Sequence, residues 1–107
     1  MPKGDYLGEF EHFILLAVLR LENDAYGMEV RREIEARTGR DASIGAVYAT
    51  LERLETKGLV RSQEFAAEGD RGRPLRLYRV TANGARALER TQEAIASMWE
   101  GVKVRGV

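Results

Sequence analysis

The chain contains no cysteine and a single histidine, His12, among its 107 residues. Without thiols there is neither a disulfide nor a thiolate zinc site, and one imidazole supplies neither a nucleophile–base pair nor a usual metal shell. The carboxylates are scattered at solvated helical spacings. No G-x-x-x-x-G-K-[ST] phosphate loop is present, and G-D-R-G-R-P at 69–74 lacks the following helix such a loop needs. The sequence therefore argues against an enzyme and predicts no cofactor and no metal site. Long apolar runs are missing as well. The longest, F-I-L-L-A-V-L at 13–19, falls well short of the ~18 residues of a membrane span. M-P-K-G-D-Y shows no basic-then-apolar signal peptide. A cytoplasmic protein without a membrane partner is expected, and the lack of cysteine is compatible with a reducing compartment.

An excess of either charge is also absent, since 17 Lys+Arg face 17 Asp+Glu. Their distribution is uneven. Residues 1–30 hold two basic and six acidic side chains, whereas 43–84 hold seven basic and five acidic. The run R-G-R-P-L-R-L-Y-R at 71–79 alone carries four arginines. Such segregation is the footprint to look for in a nucleic-acid binder of neutral net charge. At this length the chain is one domain that buries only about two-thirds of its extended surface, so a second copy would add useful burial.

What is present is helical periodicity, then a switch. Residues 6–22 place Leu7, Phe10, Ile14, Ala17, Val18 and Leu21 on one stripe, which Phe13 and Leu16 widen beyond the needs of one core face. Asn23 and Asp24 break this pattern and are expected to cap a second helix over 25–38. Its buried face is read as Tyr26, Val30, Ile34 and Arg37, with Gly39 closing it. Ser43 is the expected N-cap of a third helix reaching Lys57, with Val47, Leu51 and Leu54 buried while Ala46, Ala49, Thr50 and Arg53 point elsewhere. Period-2 alternation at 59–65 and 75–80 then predicts a hairpin around a turn-rich tip. Alternation alone leaves open which strand face is buried. Thr81 is the expected cap of a last helix over 82–102.

Three helices, a two-stranded hairpin and a helix form an α+β, mostly α chain with the layout of a winged helix-turn-helix. Residues 1–81 would be the DNA-binding part, and 82–107 a C-terminal dimerisation helix of the same unit. A helix enters the major groove only if its outer face is slim near its start. Ser43, Gly45, Ala46 and Ala49 would provide that, and Tyr48 would offer a hydroxyl to phosphate or a ring edge to a base. The competing reading is that Gly45 and its neighbouring alanines pack against another helix. Arg71, Arg73 and Arg76 would follow phosphates or enter a minor groove from a tip kept mobile by Gly69 and Gly72. Alternatively, they pair with Glu64, Glu68 and Asp70 on the same hairpin. Arg79 is read as pointing inward or toward the first helix. A winged helix that binds only proteins remains the rival function.

Three blocks, A-Y-G-M-E-V at 25–30, G-A-V-Y-A-T-L-E-R-L-E-T-K-G-L-V at 45–60 and R-P-L-R-L-Y-R-V-T-A-N-G at 73–84, occur in an order that resembles the PadR family of bacterial transcriptional regulators. The resemblance spans residues 7–90. It implies a homodimeric repressor on a two-fold operator, with its reading helices about 34 Å apart. Gly45, Tyr48, Arg53 and the wing around Arg71–Arg76 would take DNA-facing roles. Leu51, Leu54, Leu59 and Tyr78 would take structural ones. With one helix after the wing, the chain is similar to the short subfamily, in which the last and first helices build the dimer.

The last helix supports that dimer on its own. Leu88, Ile95, Trp99 and Val102, with Met98 alongside, form a stripe of about four turns that a body of this size cannot bury together with the surplus face of the first helix. Phe10, Phe13 or Leu16, with Leu7, is the expected counterpart across a closed two-fold interface. Trp99, the one tryptophan, is by its chemistry an ordinary dimer anchor. The resemblance also implies a second role, in which Trp99, with Phe13, stacks a planar aromatic effector. Both readings stand at this point.

Overall fold

The computed structural model describes residues 6–66 and 74–106. Helix α1, Glu9–Arg20, buries Ile14, Leu15, Ala17 and Val18. It begins after Gly8, whose N–H donates to Glu11 Oε1 at 3.1 Å, and both Glu9 and Glu11 lie in the first turn, where the helix dipole favours negative charge. The helix is shorter at its start than periodicity suggests, and Leu15, outside the expected stripe, is fully buried. Glu22 and Asn23 follow in the left-handed region, with φ of 64° and 58°. Asn23 does not cap the next helix. Its Oδ1 accepts the Val80 N–H at 2.7 Å and its Nδ2 donates to the Val80 carbonyl at 3.4 Å, tying the α1 exit to the sheet.

Two residues, Ala25–Tyr26, form β1, and α2, Gly27–Thr38, follows at once. The Tyr26 N–H donates to Glu29 Oε1 at 2.9 Å, so Glu29 satisfies the donor that Asn23 was expected to serve. Val30 and Ile34 are buried, but Arg37 is not. Its Nε instead reaches Glu33 Oε2 at 3.0 Å on the exposed face. Gly39 ends α2 with φ 76°, as its position past the last periodic residue predicts.

Helix α3, Ile44–Thr56, is capped as expected: Ser43 Oγ accepts the Ala46 N–H at 3.0 Å. Val47, Thr50, Leu51 and Leu54 are its buried residues. Thr50, expected to point outward, is only 4% exposed, because it follows Val47 by three residues and so shares its face.

Strands β2, Val60–Ala66, and β3, Pro74–Val80, pair antiparallel from Val60↔Val80 to Ala66↔Pro74. The expected hairpin is therefore present, and β1 adds to the other edge of β3 through Ala25↔Tyr78 and Tyr26↔Leu77, extending it to a three-stranded sheet of order β1-β3-β2. The structure also decides the faces. Val60, Tyr78 and Val80 are buried against the helices, while Arg61, Gln63 and Arg79 face outward.

Helix α4, Ala82–Trp99, starts at Thr81, whose Oγ1 accepts the Gly84 N–H at 3.0 Å and whose hydroxyl donates to the Gly58 carbonyl at 2.7 Å. It ends at Trp99, three residues before the expected Val102. Only its first half rests on the body, through Gly84, Ala87, Leu88 and Thr91. The Leu7 N–H donates to Thr91 Oγ1 at 3.1 Å, which binds the segment before α1 to this half. Leu88, expected on the dimer stripe, is 7% exposed and belongs to the chain's own core. Beyond Thr91 the helix leaves the body, and the molecule extends to 57 Å along its longest axis.

Candidate nucleic-acid interface

The outer face of α3 is bare. A Cβ on Gly45 would meet nothing nearer than Ser43 Oγ at 4.0 Å, and Ser43, Ala46 and Ala49 are exposed. Among the described residues no helix packs on these small side chains, contrary to the helix-packing reading of Gly45 and the alanines. Tyr48 is exposed beside them, with its ring lying over Gly27, where an added Cβ would sit 2.5 Å from Tyr48 Cε1 and 2.9 Å from its hydroxyl oxygen. The glycine of A-Y-G and the tyrosine of V-Y-A, 21 positions apart, are therefore one device. The missing side chain at 27 leaves the bed for the ring.

Between the start of α2, α3 and β3 lies an open groove of about 620 Å³. Tyr48, Glu52, Arg32 and Arg76 are among its lining residues. Arg76 donates to Ser62 Oγ at 2.9 Å and to Glu64 Oε2 at 3.2 Å. The hairpin pairing considered for the wing arginines thus holds for Arg76. An exposed pair of this kind is worth at most about 1 kcal/mol and yields readily to a phosphate. Arg32 went unnoticed in the sequence. It is exposed and, among the described residues, forms no ion pair. Its only sequence signal is a place on the polar side of α2, two residues after Val30. Arg71 and Arg73 lie outside the described residues.

Arg53 turns the other way. Its Nε lies 3.6 Å from Glu11 Oε2 and its Nη2 3.4 Å from Thr50 Oγ1, so it faces α1 rather than the row of Gly45 and Ala49. Lys57 joins it, donating to Glu11 Oε2 at 2.9 Å. Burial pushes the Glu11 carboxyl up, but the hydrogen bonds from Lys57 and the Gly8 N–H, with the charges of Lys57 and Arg53, outweigh it and hold the group below its ordinary value. Arg79 is exposed and lies 3.6 Å from Asp24 Oδ1, so it points neither inward nor to α1.

A second surface is apolar. Met98 is 79% and Trp99 56% exposed, and Ile95 and Val102 are exposed with them. On α1, Leu16 and Leu19 are exposed. Leu7, Phe10 and Phe13 are half-buried against the core, with Phe10 beneath the Arg40 guanidinium, 4.5 Å from ring centroid to carbon. Phe13 lines a pit of about 240 Å³ between α1 and α2, rimmed by the Arg20–Glu33–Arg37 ion pairs. Trp99 lines a different depression with Leu7, Ile95 and Met98. Within one chain the structure does not bring Trp99 and Phe13 together. Among the described residues, no helix is long and apolar enough to cross a membrane and no three His, Asp or Glu side chains could hold a metal ion.

Residues 15–90 match the model of the transcriptional regulator PadR-like family. Transcriptional regulator Rv3488 of Mycobacterium tuberculosis is 34% identical over 77 residues, which cover 72% of this chain and 68% of that protein. Among solved structures, a PadR family transcription regulator from Clostridium difficile R20291 superposes with a TM-score of 0.70 at 24% identity, covering 87% of this chain and 96% of that one. F93 from STIV, a winged-helix DNA-binding protein, gives 0.71 at 20% identity over 88% and 95% of the two chains. At those identities the structural likeness speaks for the winged-helix fold. The family match, by contrast, extends from within α1 into α4. This chain belongs to the PadR-like family of transcriptional regulators.

Proposed function

We propose that two copies of this chain bind an operator duplex and repress transcription by occluding it. The observation that carries the reading is the bare, exposed start of α3, Ser43 to Ala49, beside Tyr48 braced on Gly27. A helix so stripped of bulk lets its backbone approach base edges in a major groove about 12 Å wide. Residues 1–81 would read DNA. Arg76 and, from the wing tip, Arg71 and Arg73 would contact phosphates, releasing counterions as they do. Arg32 would join them from the groove wall. Arg53, committed to Glu11, would serve the fold more than the duplex.

Residues 82–107 would join the two copies. Ile95, Met98, Trp99 and Val102 present an apolar face left exposed among the described residues, and Leu16 and Leu19 offer a second one. Packing the first against the second in a two-fold partner would bury both. Trp99 is then a dimer anchor. Where Trp99 of one copy approaches Phe13 of the other, a planar aromatic effector could stack and alter the spacing of the two α3 helices, releasing the operator. The family's work on DNA favours a cytoplasmic setting.

Footprinting of the purified protein on the DNA upstream of its own gene tests the reading, with a protected two-fold site expected. Arg73→Ala should weaken binding to that site and flatten its salt dependence, and Tyr48→Phe should lower affinity more than it lowers stability. Parent-like binding by both variants would remove the site assignment. For the effector, quenching of Trp99 fluorescence across a panel of planar cationic compounds is expected, and no quenching by any of them ends that part.

A further inference from the structure

Helix α3 carries three charged side chains, Glu52, Arg53 and Glu55, and the structure disposes of two. Arg53 is drawn to Glu11 on α1. The Glu55 carboxylate accepts both the Ser62 N–H, at 3.1 Å, and the Ser62 hydroxyl, at 2.9 Å, on β2. Glu52 is left. Its carboxylate has no hydrogen-bond or ion-pair partner among the described residues, and it lines the groove beside Tyr48.

Its place on the helix is the telling one. At 3.6 residues per turn, Gly45, Ala49, Glu52 and Thr56 fall on one line, opposite the buried Val47, Thr50, Leu51 and Leu54. Gly45 and Ala49 have nothing with which to hydrogen-bond a base. The Thr56 hydroxyl donates to the Glu52 carbonyl of its own helix at 3.1 Å and so turns inward. Glu52 is the one long polar side chain on the slim face that the proposed function sets in the major groove.

A carboxylate there can only accept. Near phosphates it is repelled, so it weakens binding to duplex of arbitrary sequence. The repulsion is offset where a base edge offers a donor, and the base whose major-groove edge presents a donor alone is cytosine, through its N4 amino group. We infer that Glu52 is a sequence-selecting residue of this regulator, accepting a hydrogen bond from the N4 amino group of one cytosine in each operator half-site and disfavouring duplexes that lack it. This rests on the proposed function, since it needs α3 in the groove.

The test is selection from a library of randomised duplexes with the full chain, run in parallel on the parent, Glu52→Gln and Glu52→Ala. The parent should enrich a site with a fixed cytosine, symmetrically placed. Glu52→Gln should move that position toward adenine, because an amide both donates to N7 and accepts from N6. Glu52→Ala should lose preference there while keeping the rest of the site, and should bind non-operator duplex more tightly than the parent does. At the selected position the parent should prefer cytosine by about tenfold, in line with the usual discrimination of a base-edge contact. Identical enriched sites for all three proteins would overturn the role of Glu52 alone. Failure of the parent to enrich any sequence would instead strike the proposed function. Loss of all binding by both variants, with melting temperatures unchanged, would make Glu52 a general contact and also overturn its role as selector.

Discussion

At residue scale, two glycines behave differently because different atoms stand where their side chains would be. At Gly27 the obstacle is the Tyr48 ring, the movable end of a side chain. Gly27→Ala should therefore leave the melting temperature within a few degrees of the parent while lowering duplex affinity, as the ring is pushed from its bed. Thermal denaturation beside fluorescence anisotropy on labelled duplex checks this; equal affinity would show that Tyr48 needs no such bed. At Gly84 the obstacle is the Leu59 carbonyl oxygen, fixed in the backbone. Gly84→Ala should destabilise the fold severely, by roughly 3 kcal/mol or more, as overpacking of a rigid site does, and urea denaturation would show it. Glu11 makes a pH prediction. Its carboxyl is held below its ordinary value in the folded chain. The stability it confers is thus fully present above the unfolded value of about 4.3 and is lost as pH falls through the lower folded value. Melting temperatures from pH 7 to pH 3 should show the parent losing its advantage over Glu11→Gln only in the acid range. A constant difference between the two proteins would contradict the Lys57 and Arg53 contacts.

At the scale of elements, the helices were legible because their signals are local. The cap at Ser43, the left-handed close at Gly39 and the cap at Thr81 each rest on a residue whose backbone or hydroxyl chemistry acts within a few positions. Thr81→Ala should cost about 1–2 kcal/mol in urea denaturation, because it removes both the cap on Gly84 and the bond to Gly58. Strand β1 was not legible, since two residues carry no period and pair only after β3 has returned to them. Asn23 misled for the same reason: a good capping residue by type, it is used by Val80, 57 positions away. In α3 the structure gives the charged side chains different neighbours: Arg53 lies beside Glu11, while Glu52 lines the groove. The resemblance implies a DNA-facing role for Arg53; that it also meets Glu11 depends on where α1 places that carboxylate, and no spacing within α3 reveals that.

At the scale of the whole molecule, the departure of α4 from the body organises everything else. A small chain that leaves Ile95, Met98, Trp99 and Val102 open to water has an apolar face of the kind that marks an association surface. Sequence periodicity placed Ile95, Met98, Trp99 and Val102 on one face, and they are exposed, whereas Leu88, at its near end, belongs to the chain's own core. Trp99→Asp should therefore shift sedimentation from dimer to monomer with α3 and the wing still folded, and duplex affinity should fall with it. Neutral net charge is no obstacle to binding, because what the duplex meets is local. Whether a bare helix and an arginine-bearing wing meet a duplex is decided by titrating labelled upstream DNA with the full chain between 50 and 200 mM salt. If the wing and groove arginines of two copies neutralise six or more phosphates, affinity should drop by about a thousandfold or more across that range. An affinity that stays level as salt rises, or no binding at the lowest salt, would contradict it.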